Sequence, residues 1–65
     1  MEVIERLVPQ AAERLLLGGW LILEVSPIIA PRVVERIAAD GRFEPAAITK
    51  DLAGLARVVK ARRMS

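Results

Sequence analysis

The chain has 65 residues, 54% of them hydrophobic, with no Cys, no His and a formal net charge of +2. That length allows one domain, residues 1–65, burying only about 60% of the surface its unfolded chain exposes, and the missing residue types rule out disulfides, thiolate chemistry and zinc-finger ligands as reinforcement. The apolar content excludes a disordered chain, and the sequence pI of about 9.9 reflects a small excess of Arg in a chain lacking His and Tyr rather than a nucleic-acid-binding surface.

Residues 2–17 carry a helical stripe. Ile4, Leu7, Val8, Ala11, Leu15 and Leu16 recur at spacings of three and four, with Glu2, Glu5, Arg6, Glu13 and Arg14 on the other side. Pro9 is expected to kink this helix or to split it into a short turn and a main body. Gly18 and Gly19 are expected to end it. The longest apolar run, residues 15–23, is too short to span a bilayer, contains the glycine pair and is followed at once by Glu24. Glu2, Glu5 and Glu13 dilute any charged leader, and no small-x-small cleavage site follows. A soluble cytoplasmic chain is therefore expected.

Residues 20–25 (WLILEV) are apolar at all positions but Glu24, the pattern of a strand whose sheet is covered on both faces. Ser26-Pro27 stops that strand and offers an N-cap with Pro at the first helical position. A second helix is expected from about Pro27 or Pro31 to Ala39. Val33, Val34, Ile37 and Ala38 form its apolar face, and Gly41 suits a left-handed C-terminal residue. Residues 43–50 (FEPAAITK) read as a strand in which Pro45 cannot donate to a ladder, so the strand belongs at an edge or Pro45 at a bulge. Residues 51–56 make a turn-like connection containing Gly54, and residues 57–63 (RVVKARR) read as a last strand, antiparallel to the one before.

The order helix, strand, helix, strand, strand makes an α/β chain with an α+β-like small sheet. Its first strand, second helix and next strand form a β-α-β unit expected to be right-handed, with helices on both faces of a three-stranded mixed sheet.

Three phrases carry a resemblance: residues 7–12 (LVPQAA), residues 18–24 (GGWLILE) and residues 50–59 (KDLAGLARVV). Together they resemble the C-terminal part of the HemK-type N5-glutamine methyltransferases, S-adenosylmethionine-dependent enzymes that modify peptide chain release factors. The resemblance runs over essentially all 65 residues and about the last quarter of the family's chain. It marks Gly18, Gly19, Glu24, Lys50, Asp51, Gly54 and Arg57 as family-motif positions. It implies a class I methyltransferase sheet in order 3-2-1-4-5-7-6 with strand 7 antiparallel. Residues 20–25 would be strand 5, residues 43–50 strand 6 and residues 57–63 strand 7, giving the local order 5-7-6 and placing residues 43–50 on the outer edge.

The resemblance carries no catalytic, cofactor-binding or metal site onto this chain. The family's Gly-rich cofactor loop needs closely spaced glycines so that bare backbone can approach the ligand; here the glycines are Gly18, Gly19, Gly41 and Gly54, with no G-x-G. Its Asn-Pro-Pro-Tyr substrate motif has no counterpart, since the chain has neither Asn nor Tyr and its one side-chain amide is Gln10. Where the family's strand often ends Glu-Ile-Gly, this one ends Glu24-Val25-Ser26.

Each marked residue has a structural reading beside the functional one. Glu24 as a general base lacks a titratable partner, so a carboxylate capping a backbone N–H or pairing with an Arg is preferred. Lys50, Asp51 and Arg57 could bind an anion, but Asp51 organising the turn and pairing with Arg57 is preferred. Lys60, Arg62 and Arg63 lack the aromatic platform and one-sided charge of a nucleic-acid site. The edge formed by Trp20, Leu21, Ile22, Leu23 and Val25 is the candidate association site, because the strand that pairs with it in the family is not among these residues. The leading expectation is a non-catalytic, self-associating module, a homodimer without cofactor. The alternatives are one chain of a split methyltransferase, completed by an N-terminal partner chain, and a small basic binding protein. Neither a membrane nor a nucleic-acid partner is expected.

Overall fold

The amphipathic stripe at the N-terminus forms helix α1, Glu2–Arg14, in the computed structural model, which describes residues 2–65. It buries Val8 and Ala12, and its acidic first turn and basic Arg14 suit the helix dipole. Pro9 does not split it; the helix is continuous through the ring. It also ends earlier than the glycine pair, after which Gly18, at φ 83, and Gly19 turn the chain into strand β1, Trp20–Glu24.

Helix α2, Ala30–Asp40, begins with Pro31 in its first turn and ends on Gly41 at φ 83, so the left-handed terminus is as expected. Its N-cap is Ile29, not Ser26, and no side chain caps it. The Ser26 backbone carbonyl instead accepts from the N–H groups of Ile29 and Ala30, both at 3.2 Å. Strand β2 is shorter than expected, Ala47–Lys50, because Pro45 interrupts pairing; Phe43 keeps only an isolated bridge to Arg63. Strand β3 is Ala56–Arg62.

The sheet order is β1-β3-β2. Both pairings are antiparallel, which corrects the mixed sheet expected from the sequence: β3 lies between β1 and β2 and runs against each. The expected placement of Pro45 on an edge segment holds, since β2 is an outer strand.

Helices on both faces are also not what the chain forms. Val8 and Ala12 of α1, Ala30, Val33 and Ile37 of α2, and Leu21, Val59 and Ala61 of the sheet share one buried cluster with Val25 and Phe43. Helix α2 packs on both α1 and β3. The two helices therefore lie on the same side of the sheet. The register pairs Leu21 with Ala61 and Leu23 with Val59 on that side, and Trp20 with Arg62, Ile22 with Lys60 and Glu24 with Val58 on the other. The second set faces open solvent, so the run of residues 20–25 is covered on one face only. Among the described residues, no helix is long and apolar enough to cross a membrane.

Candidate functional site

The β1 edge is built by strand alternation. Arg63 N–H donates to the Gly19 carbonyl at 2.9 Å and Val25 N–H to the Arg57 carbonyl at 2.8 Å, so the odd-numbered residues of this strand bond toward β3. The N–H and C=O groups of Trp20, Ile22 and Glu24 consequently point away from β3, along the free edge. Of the candidate residues, Leu21 and Val25 are buried, Leu23 packs partly against the core, and Trp20 and Ile22 are 50% and 62% exposed on the open face.

Two cations cover part of the Trp20 ring. Lys60 Nζ lies 5.7 Å and the Arg62 guanidinium carbon 5.9 Å from its centroid, within cation–π range. Arg62 Nε also donates to the Gly18 carbonyl at 3.2 Å. The glycine pair makes this approach possible. A Cβ on Gly18 would stand 3.2 Å from Arg62 Nη2 on a backbone at positive φ, and one on Gly19 would stand 2.9 Å from the Leu16 carbonyl oxygen. Arg63 donates to the Leu15 and Ser65 carbonyls, holding the end of β3 against the end of α1.

Asp51 organises the turn between β2 and β3. Its Oδ1 accepts from Ala53 N–H at 2.9 Å and Leu55 N–H at 3.0 Å, and its Oδ2 from Arg57 Nε at 2.8 Å. Gly54, at φ 81, donates its N–H to the Asp51 carbonyl at 2.9 Å. The Arg57 guanidinium, helped by the Leu55 N–H, holds the Asp51 carboxyl below its ordinary range. Arg57 is thereby engaged within the turn, and Lys50 stands exposed with no ion pair among the described residues, so these three side chains do not converge on a shared anion site. Glu24 neither caps a backbone N–H nor pairs with an Arg among the described residues, contrary to expectation; it is exposed opposite Val58.

Sequence reasoning missed a second pair. The Asp40 side chain, 4% exposed, accepts from Arg42 Nε and Nη2, each at 2.8 Å, just past the end of α2. That bond pulls the Asp40 carboxyl down. An acidic and a basic residue flanking the helix-ending Gly41 were the available signal. Among the described residues no group of three acidic residues could hold a metal. An open surface depression of about 400 Å³ is lined by Glu5, Arg32, Glu35, Arg36 and Ala39, charges of both signs around no buried polar side chain.

Two relatives align over nearly all of this chain. It is 38% identical over 63 residues to a release factor glutamine methyltransferase of Koribacter versatilis, covering 97% of this chain and 21% of that protein. It is 32% identical over 65 residues to a release factor glutamine methyltransferase of Synechocystis sp., covering all of this chain and 22% of that protein. The chain thus spans about a fifth of the length of the curated relatives it matches. No family model and no solved structure matches it.

Proposed function

We propose, from the kinship of this chain with the release factor glutamine methyltransferases, that it is the non-catalytic end of an S-adenosylmethionine-dependent methyltransferase sheet, associating through β1. In this reading β1, β3 and β2 take the 5-7-6 positions of the class I order. The observation that carries it is the free edge of β1, where the outward amides of Trp20, Ile22 and Glu24 stand beside two exposed apolar side chains.

The chain's own residues supply scaffold rather than chemistry. Asp51 and Arg57 are spent on a turn, Gly18 and Gly19 on a close backbone approach, and no glycine cluster frees backbone N–H groups for a nucleotide-like ligand. Methyl transfer to a release factor glutamine belongs, in this reading, to a domain of which these residues form one edge.

Calorimetric titration of the purified chain with S-adenosylmethionine is expected to give no saturable heat into the millimolar range. Micromolar binding at a single site would overturn the non-catalytic reading. In a second reading, a separate chain supplies the remaining strands along the free edge of β1. Its test is to mix this chain with a relative lacking the matching fifth. Cofactor binding by the mixture, absent from either component, supports it, and its absence from the mixture overturns it.

A further inference from the structure

Asp40 and Gly41 form the one Asp-Gly dipeptide of the chain, which has no Asn and whose other aspartate, Asp51, is followed by Leu52. The helix end requires the glycine. Gly41 closes α2 at φ 83, a conformation that strains any residue with a Cβ, although open space surrounds the position. The same missing Cβ leaves the Gly41 backbone nitrogen unhindered beside the Asp40 carboxyl. The helix terminus therefore brings a chemical liability with it.

The next residue answers it. Arg42 Nε donates to Asp40 Oδ1 and Arg42 Nη2 to Asp40 Oδ2, each at 2.8 Å, so one guanidinium fork occupies both carboxylate oxygens. The Arg42 N–H adds a longer bond to Oδ1 at 3.3 Å. The Asp40 side chain is shielded from water, and its carboxyl is held below its ordinary range, chiefly by the Arg42 side chain. Arg42 is itself anchored. Its carbonyl accepts from Met64 N–H at 2.8 Å and Ser65 N–H at 3.2 Å, which ties it to the residues that follow β3. All these bonds are made between named groups of the chain itself, and none depends on a surface being open.

We propose that Asp40-Gly41 is a latent site of backbone isomerisation, and that the Arg42 fork is what keeps it closed. Reaction needs the carboxyl released from the fork and protonated by water. The Gly41 backbone nitrogen then attacks Asp40 Cγ. A bond forms between that nitrogen and Cγ, the bond from Cγ to its hydroxyl oxygen breaks, and the hydroxyl leaves as water with the amide proton. Water next opens the succinimide ring by adding to one of its two carbonyl carbons. Opening at Cγ restores aspartate. Opening at the Asp40 α-carbonyl leaves the chain running through the side-chain carboxyl, as isoaspartate of unchanged mass. Water is the only other reactant, and no electron is transferred.

Trypsin reads the site directly, because cleavage after Arg36 and Arg42 releases residues 37–42 with the dipeptide inside, or residues 37–50 where Arg42 is replaced by Gln. The isoaspartyl peptide separates from its parent at equal mass and is identified by electron-transfer fragmentation. Over weeks at neutral pH, the chain unfolded in urea is expected to accumulate isoaspartate at position 40, while the folded chain accumulates far less. Arg42→Gln, still folded by circular dichroism, is expected to isomerise about tenfold faster than the folded parent, the scale of losing one charge-assisted pair. Arg57→Gln breaks the other Asp–Arg pair and is expected to leave the rate at position 40 unchanged.

A folded Arg42→Gln chain that isomerises at the parent's rate overturns the proposal, as does an unfolded chain that forms no isoaspartate at position 40. Equal acceleration by Arg57→Gln also overturns it, since general loosening would then be the cause. Should Arg42→Gln fail to fold, Arg42→Lys decides, because it keeps the charge and loses the fork. A rate between those of the folded parent and the unfolded chain supports the proposal, and any other rate overturns it.

Discussion

At the scale of single residues, Asp51 and Asp40 hold the chain's sharp bends. Each accepts from a nearby Arg, and each carboxyl is held below its ordinary range, chiefly by that guanidinium. A carboxyl whose folded pKa is depressed stabilises the fold fully above its unfolded pKa, about 3.9 for Asp, and loses that contribution as pH falls through the folded value. Stability in urea is therefore expected to drop as pH falls below about 4, where these two carboxyls protonate. An Asp40→Asn, Asp51→Asn double variant is expected to be less stable at neutral pH and less sensitive to acid. An unchanged acid limb would mean that other carboxylates set it. The Asp51–Arg57 arrangement could be anticipated from Asp-x-x-Gly turn chemistry, whereas the Asp40–Arg42 pair needed the bend at Gly41 to bring its members together.

At the scale of elements, α1 shows how packing overrides a local rule. Pro9 has no N–H to donate to the preceding turn, a defect costing about 3 kcal/mol in a helix interior. The helix nonetheless runs through it because Val8 and Ala12 on either side are fully buried against the core. Pro9→Ala is expected to raise unfolding stability by about 1–2 kcal/mol, the restored hydrogen bond outweighing the greater freedom of the unfolded chain. A fall in the urea midpoint would show that the ring itself packs well. The strand β1 shows the opposite failure. Its apolar run suggested two covered faces, but the outer face stays open: Trp20 and Ile22 are exposed, and only the charged ends of Lys60 and Arg62 come within cation–π range of the Trp20 ring. A strand's own composition does not state how many of its faces find a partner layer.

At the scale of the whole molecule, one small core supports everything. Ile37, Val8, Val33 and Val59 are its largest fully buried side chains, drawn from both helices and the central strand. A domain of this size has roughly 3–10 kcal/mol of stability in total. Ile37→Ala is expected to cost about 2–5 kcal/mol, enough to leave much of the chain unfolded at room temperature. Leu52→Ala, on a fully exposed side chain, is expected to change stability by no more than about 0.5 kcal/mol. Equal urea midpoints for the two variants would contradict a core centred on α2.

The sequence by itself determined the element order, the left-handed end of α2 at Gly41, the exclusion of Pro45 from the sheet interior and the similarity to release factor glutamine methyltransferases. These depend on local sterics, hydrogen-bonding capacity and residue identity, which neighbours along the chain carry intact. Tertiary structure alone decided that both helices cover one face and that Lys60 and Arg62 lie over Trp20. Those outcomes follow from register and from which faces find partners. Both arise between segments as distant as Trp20 and Arg62, and no periodicity within either segment encodes them.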